Sequence, residues 1–151
     1  MPTVMKEYEE KINYLENEVD KRILAMSLRI FERNWLDYIP TYAIILRNDG
    51  VIVEANNAFC EALGYTKEEI IGRVFLDFLT PEYKEATKKL YEYNLETTLS
   101  DWYYNEYQHK DGTPVPLWWI ATHQPTYEPG FIIGIASPKM PIKDINDEFG
   151  V

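Results

Sequence analysis

Cysteine and histidine are scarce in this sequence of 151 residues, which contains one cysteine, Cys60, and two histidines. A single cysteine excludes a disulfide within the chain and a zinc cluster built on cysteines. The sequence also lacks an apolar run of about 18 residues, the length that a membrane-spanning helix needs. We therefore expect neither a metal centre of this kind nor insertion into a membrane.

Basic residues are also few, since 15 lysines and arginines stand against 25 acidic residues and give a net charge of −10. Nucleic-acid binding depends on Lys and Arg side chains that replace the counterions of the phosphates, so this balance argues against a nucleic-acid partner. The N-terminal segment carries charges where a signal peptide needs an apolar core. These features predict a cytoplasmic protein.

Residues 1–40 have the composition of a long helix, because glycine is absent and the only prolines are Pro2 and Pro40. Apolar side chains recur there at intervals of three and four residues, which places them on one helix face. The first half follows a short coiled-coil seam and predicts a homodimer. The alternative is a helix that folds back onto its own domain, and the two are compatible if the first half pairs and the second half docks. The residues expected on the dimer face are Ile12, Leu15, Val19 and Met26.

Residues 42–81 carry the strongest local patterns. Two apolar, strand-like runs flank Asn48-Asp49-Gly50, a tight hairpin signal. A short helix is predicted over residues 58–63, and Gly64 is suited to end it in the left-handed conformation. Thr66-Lys67-Glu68-Glu69 has the form of a capping box and predicts a second short helix.

The rest of the chain predicts one long helix and three strands. The helix is expected to begin at Thr80-Pro81 and to run to about Leu99. Strands are predicted over residues 102–109, 114–123 and 130–137, with a hairpin turn between the first two. The order predicts an α+β fold in which a five-stranded antiparallel sheet has short helices and one long connecting helix inserted between its second and third strands, after a long N-terminal helix.

These segments resemble the motifs of the PAS sensory domain family. The family's first motif reads roughly G-x-I-x-x-x-N-x-A-F-x-x-x-x-G-Y-[ST]-x-E-E-[LI]-[IL]-G, and the turn His109–Thr113 resembles a second one. The resemblance covers about residues 42–137 and implies a PAS domain over residues 41–137, followed by a tail over 138–151. The first motif is matched by Gly50, Ile52, Asn56, Ala58, Phe59, Gly64, Tyr65, Thr66, Glu68, Glu69, Ile70, Ile71 and Gly72.

A PAS domain implies a pocket between the inner face of the sheet and the long helix, in which a small apolar or aromatic ligand or a cofactor binds. Such pockets are mostly apolar and have few polar anchors. The alternation of strand residues and the family positions select the candidate lining, and His123 is included because it shares the inward parity of Trp119. The candidates are Ile44, Leu46, Val53, Phe59, Phe75, Leu79, Leu90, Tyr107, Leu117, Trp119, His123 and Ile133.

The identity of a cofactor stays open at this point. Haem-binding PAS domains usually take their iron ligand from the long helix. Because residues 80–99 contain no His, Cys or Met, haem bound in this way is not expected. Cys60 lies too early for the photo-adduct of flavin photoreceptors and is expected to be a small core residue. Non-covalent flavin has no compact motif and remains open. No catalytic or metal site is predicted, and the Asn56 side chain is expected to bond nearby backbone.

Both faces of the fourth and fifth strands are apolar, so the outer face, which carries Trp118, needs a cover. We expect the N-terminal helix to provide it and thereby to link the pocket to a dimer. The sequence thus predicts a signal-transduction sensor that forms a homodimer. Its output would pass to a signalling protein or to a fused output domain. The alternative is a ligand-free PAS adaptor for protein interaction, and an enzyme or redox protein with flavin or haem ranks last.

Overall fold

A computed structural model describes residues 6–7, 9–12, 17–96, 99–124 and 130–140 of the chain. These residues fall into two compact units, one within residues 1–38 and the other within residues 39–151. No helix among these residues is long and apolar enough to cross a membrane.

The first unit contains helix α1, Glu18–Asn34, and a 3-10 turn at Trp35–Tyr38. Residues 6–7 and 9–12 are also helical. Asn17 has extended backbone angles, and its side-chain oxygen accepts hydrogen bonds from the amides of Val19 and Asp20. Because Asn17 is the N-cap of α1, the prediction of one uninterrupted helix within residues 1–40 is wrong.

The predicted dimer face is partly described. Val19 and Met26 are exposed on α1, and Ile23 between them is exposed as well. Ile12 is half-buried, and Leu15 lies outside the described residues. The expectation that this helix covers the outer face of the sheet stays a prediction.

The second unit has two strands, then three α-helices, then three strands, in the predicted order. A 3-10 turn, Phe75–Phe78, lies between the two short helices and the long one. The elements are β1 (Tyr42–Arg47), β2 (Ile52–Ala55), α2 (Asn57–Leu63), α3 (Lys67–Ile70), α4 (Pro81–Asn94), β3 (Tyr103–Gln108), β4 (Pro114–Gln124) and β5 (Phe131–Ser137).

The five strands form one antiparallel sheet in the order β2-β1-β5-β4-β3. The first and last strands of the chain are therefore neighbours, with Tyr42 opposite Ala136 and Arg47 opposite Phe131. This pairing joins the N-terminal hairpin to the C-terminal strands and confirms the predicted fold class.

Strand parity decides which side chains enter the core. On β4, Leu117, Trp119 and His123 are buried while Trp118 is half-buried on the other face. On β5 the buried residues are Ile132, Gly134 and Ala136, so Ile133 lies on the outer face. Ile133 was predicted to line the pocket, but it lies one position away from the inward-facing residues of β5. Neighbouring residues of a strand point to opposite faces of the sheet, so its side chain lies outside.

Asn56 joins β1 to the start of α2. Its side-chain oxygen accepts hydrogen bonds from the amides of Ala43, at 3.1 Å, and Phe59, at 3.0 Å, and its amide nitrogen donates to the carbonyl of Thr41 at 2.7 Å. The residue is almost fully buried. One side chain therefore caps a helix, which is the nearby backbone bond that the sequence suggested, and also satisfies two backbone groups of the segment that leads into β1, which it did not.

The two motifs that carry the family resemblance meet in space. Gly64 has a φ of +76° and ends α2, and a Cβ atom there would lie 2.4 Å from the His109 ring. Lys110 donates from its backbone to Leu63 and from its side chain to Glu69 at 2.7 Å. Glu69 also completes the capping box with Thr66, and the pKa of its carboxyl is lowered chiefly by the hydrogen bond from Lys110. The glycine is required both by its backbone angle and by the close approach of the imidazole.

Helix α4 ends at Asn94 rather than near Leu99. Leu99 forms a bridge to Thr122, and the Ser100 amide donates to the Ala121 carbonyl at 2.9 Å. Pairing with β4 requires an extended backbone, so the helix has to stop before this segment.

At the N-terminal end of α4, Thr80 stands at the N-cap position but its side chain makes no capping bond.

We expect Asn56→Ala to lower the free energy of unfolding by about 2–4 kcal/mol, because it removes a helix cap and leaves buried backbone groups unpaired. Urea denaturation followed by circular dichroism measures this loss. The matched control is Glu61→Ala at an exposed position of the same helix, with an expected change within about 0.5 kcal/mol. Equal losses in the two variants would contradict the role assigned to Asn56.

Candidate functional site

A cavity lies in the second unit between the inner face of the sheet and helix α4. The space open to the centre of a water molecule is ≈ 20 Å³, which is enough for about one or two waters. The core around it is therefore closely packed. The lining comprises Ile44, Leu46, Phe75, Thr87, Tyr91, Asn94, Tyr103, Tyr107, Trp119, Ala121, His123, Ile132 and Gly134.

The rings of Tyr107 and Trp119 line the cavity, and Phe59 packs against both of them from the surrounding core. The Trp119 ring centroid lies 6.0 Å from that of Phe59 and 5.5 Å from that of Tyr107, and Phe59 meets Tyr107 edge-on at 5.7 Å. The buried indole of Trp119 donates to the Asn105 side chain at 2.9 Å. This bond satisfies its only polar atom and fixes the ring plane.

Gly134 provides the room for this indole. A Cβ atom at this position would lie 3.2 Å from the Trp119 ring and 3.4 Å from Ile44. The bulk of Trp119 on β4 is thus matched by the missing side chain on β5, the strand beside it. The large side chain of Trp119 and the absent side chain of Gly134 together keep this part of the core closely packed.

Helix α4 contributes polar side chains to the roof. Thr87, Tyr91 and Asn94 line the cavity, and Thr87 and Asn94 are buried. The Tyr91 hydroxyl lies 2.9 Å from the Arg47 carbonyl and 2.6 Å from the Asn48 carbonyl and donates to this pair. Tyr91 therefore ties the helix to the hairpin between β1 and β2.

His123 is the polar group that stands out at this site. Its side chain is 7% exposed and lines the cavity from the end of β4. Neither ring nitrogen has a hydrogen-bond partner among the described residues. A neutral imidazole carries one N–H donor and one acceptor nitrogen, so both functions remain available to a bound molecule.

Burial keeps the tyrosines of the cavity in their neutral form. Loss of hydration raises the pKa of Tyr91 to about 12, with a smaller contribution from the carboxylate of Asp49. Burial also raises the pKa of Tyr103 and of Tyr107. At neutral pH these hydroxyls are therefore uncharged groups that donate and accept hydrogen bonds.

The predicted pocket residues divide into three groups. Phe75, Tyr107, Trp119 and His123 line the cavity, together with Ile44 and Leu46. Phe59, Leu79 and Leu117 are buried in the surrounding core. The residues that lie elsewhere are Leu90, which lines a neighbouring surface groove, Val53, which is exposed, and Ile133, which is on the outer face.

Sequence reasoning missed the polar residues of α4. It named only Leu90 of this helix as a pocket residue, and Leu90 lines the neighbouring groove instead. The buried positions Thr87 and Asn94 are separated from Tyr91 by four and three residues, which is the spacing of one helix face. The signal was present as a polar stripe and was overlooked because an apolar inner face was assumed.

The described residues contain no group of three or more His, Cys, Asp or Glu side chains that could hold a metal ion. Cys60 is a buried core residue of α2. Trp118, assigned to the outer face, packs with its ring centroid 5.2 Å from that of Tyr104.

We expect Tyr91→Phe to lower stability at pH 7 by about 1–2 kcal/mol through the loss of its hydroxyl bonds. The unfolded tyrosine ionises near pH 10 whereas the folded one does so at about 12, so the advantage of the wild type over the variant shrinks as the pH rises between these values. Urea denaturation of both proteins at pH 7, 10 and 11 measures this difference in the free energy of unfolding. Tyr93→Phe, at an exposed position of the same helix, is the control. A difference that stays constant with pH would contradict the assignment.

Comparison with known proteins agrees with this geometry. A family model for the PAS domain matches residues 40–124. No curated protein matches the sequence significantly.

Solved PAS domains have a similar fold. One from an HTR-like protein of Haloarcula marismortui aligns with a TM-score of 0.60 and 21% identity, covering 78% of this chain and 95% of that one. One from Colwellia psychrerythraea aligns with a TM-score of 0.61 and 19% identity, covering 76% and 95%. A domain of a sensor histidine kinase/response regulator from Geobacter sulfurreducens gives a TM-score of 0.59 and 18% identity, covering 72% and 92%. With the family model matched over more than half of its length, this chain belongs to the PAS family of sensory domains.

Proposed function

We propose that this PAS domain senses a small, uncharged, largely apolar or aromatic molecule that binds in the cavity between α4 and the sheet. The observation that carries the proposal is the buried imidazole of His123, which faces the cavity with no partner for either nitrogen among the described residues. A buried polar group without a hydrogen bond costs about 1–3 kcal/mol. A ligand that offers both a donor and an acceptor would recover this cost.

The surroundings favour a ligand of this class. The rest of the lining combines aromatic rings and aliphatic side chains with the polar groups of Thr87, Asn94 and the tyrosines. None of the described residues that line the cavity is an acid, a lysine or an arginine. A charged ligand would lose its hydration without gaining an ion pair, which is unfavourable in a closed core.

The second candidate function is that of a ligand-free interaction module. The small free volume of ≈ 20 Å³ favours it, since a core that is already filled needs no ligand. The two functions differ in whether the purified protein retains or takes up a small molecule.

The output proposed for the sensor is a homodimer formed through α1. Val19, Ile23 and Met26 are exposed and separated by four and three residues, so they form an apolar stripe along the helix. Residues 39–41 connect the 3-10 turn after α1 to β1, and β1 contributes Ile44 and Leu46 to the cavity lining. A ligand would act by favouring one of two dimer arrangements, and only to the extent of its differential affinity for them.

A place in a two-component pathway fits this proposal. The Geobacter sulfurreducens domain of similar fold belongs to a sensor histidine kinase/response regulator. By this analogy the PAS domain would act on a fused or separate signalling protein.

We expect His123→Leu to abolish ligand binding without destabilising the empty protein, because it replaces an unsatisfied polar group by an apolar one. Native mass spectrometry of the freshly purified protein, against a denatured sample, tests for a retained molecule. Thermal melting with 4-fluorophenol, an uncharged aromatic with one hydroxyl, tests for uptake. The wild type should show the adduct or a raised melting temperature, and the variant neither.

The matched control is His109→Leu, which removes the other histidine at a position outside the cavity. It should retain ligand binding at reduced stability, since His109 packs on Gly64. A wild type that shows neither an adduct nor a melting shift would favour the ligand-free module.

We expect the double variant Val19→Glu/Met26→Glu to shift a dimer to a monomer, because two charges would enter the apolar stripe. Sedimentation velocity measures the change, and far-ultraviolet circular dichroism checks that the fold is retained. Glu32→Lys, a charge change at another exposed position of α1, is the control. Identical sedimentation of the wild type and the double variant would rule out α1 as the dimer contact.

A further inference from the structure

A surface groove lies beside the cavity, at the C-terminal end of α4 and along the segment that leads into β3. The volume available to the centres of water molecules is ≈ 170 Å³ in the groove and ≈ 20 Å³ in the cavity. Much of its wall is apolar and accessible, since Tyr93 is 63% and Leu99 61% exposed, and Trp102 is exposed as well. An uncharged aromatic molecule can therefore contact apolar side chains in this groove.

Two side chains separate the groove from the cavity. Asn94, the last residue of α4, and Tyr103, the first residue of β3, line both spaces. These two side chains therefore lie at the boundary between the groove and the cavity that contains His123. Movement of these two groups would join the spaces into one.

The backbone beside this layer is held in place. The Ser100 amide donates to the Ala121 carbonyl at 2.9 Å, and the Ala121 amide donates to the Ser100 hydroxyl at 2.8 Å. Tyr103 is opposite Trp119 in the pairing of β3 with β4. An opening made by rotation of the Asn94 and Tyr103 side chains would leave this backbone pairing intact.

The charge of the groove selects the molecules that can pass. Among its described lining residues Asp101 is the only charged one, and the chain as a whole carries −10. An anion would be repelled at the entrance, and the cavity has no acidic partner for a cation. The passage suits an uncharged molecule with an apolar ring and one polar group.

We propose that ligands enter through this groove and that Asn94 and Tyr103 form its gate, so that the open gate joins groove and cavity into a single site large enough for a small aromatic molecule. The polar group of the ligand then bonds to His123 while its ring occupies the space vacated by Tyr103. This inference rests on the proposed function, and it explains how a cavity of such small free volume could take up an aromatic ligand.

The test removes the gate and follows both the rate and the place of binding. The full chain is titrated with 4-fluorophenol, and ¹⁹F exchange spectroscopy gives the association rate and affinity. The ring signals of ¹⁵N-labelled His123 report whether the probe reaches the cavity. We expect Tyr103→Ala to bind the probe about tenfold faster and more tightly than the wild type, because the open state no longer has to compete with the closed one.

The matched control is Tyr104→Ala, which removes the next tyrosine of β3. Its ring lies on the other face of the strand against Tyr83 and Trp118, outside both spaces. It should bind the probe as the wild type does. Should Tyr103→Ala fail to fold, Tyr103→Leu keeps an apolar side chain but removes most of the ring and should give the same direction of change.

The outcomes separate this inference from the proposed function. A faster and tighter response at His123 in the Tyr103 variant alone supports the gate. A response at His123 with the same rate and affinity in all variants overturns the gate and leaves the cavity as the binding site. The lack of any response at His123, in the wild type and in the Tyr103 variants, overturns both.

Discussion

The buried side chain of Asn56 sets the constraint on which the rest of the PAS unit depends. It bonds to Thr41 and Ala43 on one side and to Phe59 on the other, so the start of β1 and the start of α2 are held at one point. Once β1 is fixed there, β5 pairs along its free edge and brings the C-terminal strands to the N-terminal hairpin. The short helices alone could not impose this arrangement, because helices of one or two turns are unstable without tertiary contacts.

The core that results is nearly filled, and this limits how the site can work. Trp119 uses the space that Gly134 leaves, and its polar atom is satisfied by Asn105. Among the described residues the ring nitrogens of His123 and the hydroxyl of Thr80 are buried without a hydrogen bond, and of these two residues only His123 lines the cavity. Unpaired polar groups are rare in natural cores, and the proposed ligand binding therefore rests on this imidazole and not on the apolar lining.

Much of the site could be predicted, and the errors have a common cause. Phe75, Tyr107, Trp119 and His123 follow from strand parity and family position, and all four line the cavity. Ile133 was assigned to the wrong face, because an apolar run on both faces of β5 gives no parity signal of its own. The polar residues of α4 were missed because their role depends on which face the helix turns towards the sheet, and that orientation is set by contacts such as the bond from Tyr91 to the hairpin.

The sequence by itself determined the order and type of the elements of the second unit, the capping box at Thr66, the left-handed end of α2 at Gly64 and the antiparallel α+β fold. These features follow from local chemistry, since turns, caps and periodicity act over a few residues. Only the tertiary structure decided that β1 lies beside β5, that His109 packs on Gly64 and that Asn94 and Tyr103 stand between groove and cavity. The physical reason is that these contacts join residues distant in sequence, and their geometry is fixed by packing of the whole core and not by the preference of any segment.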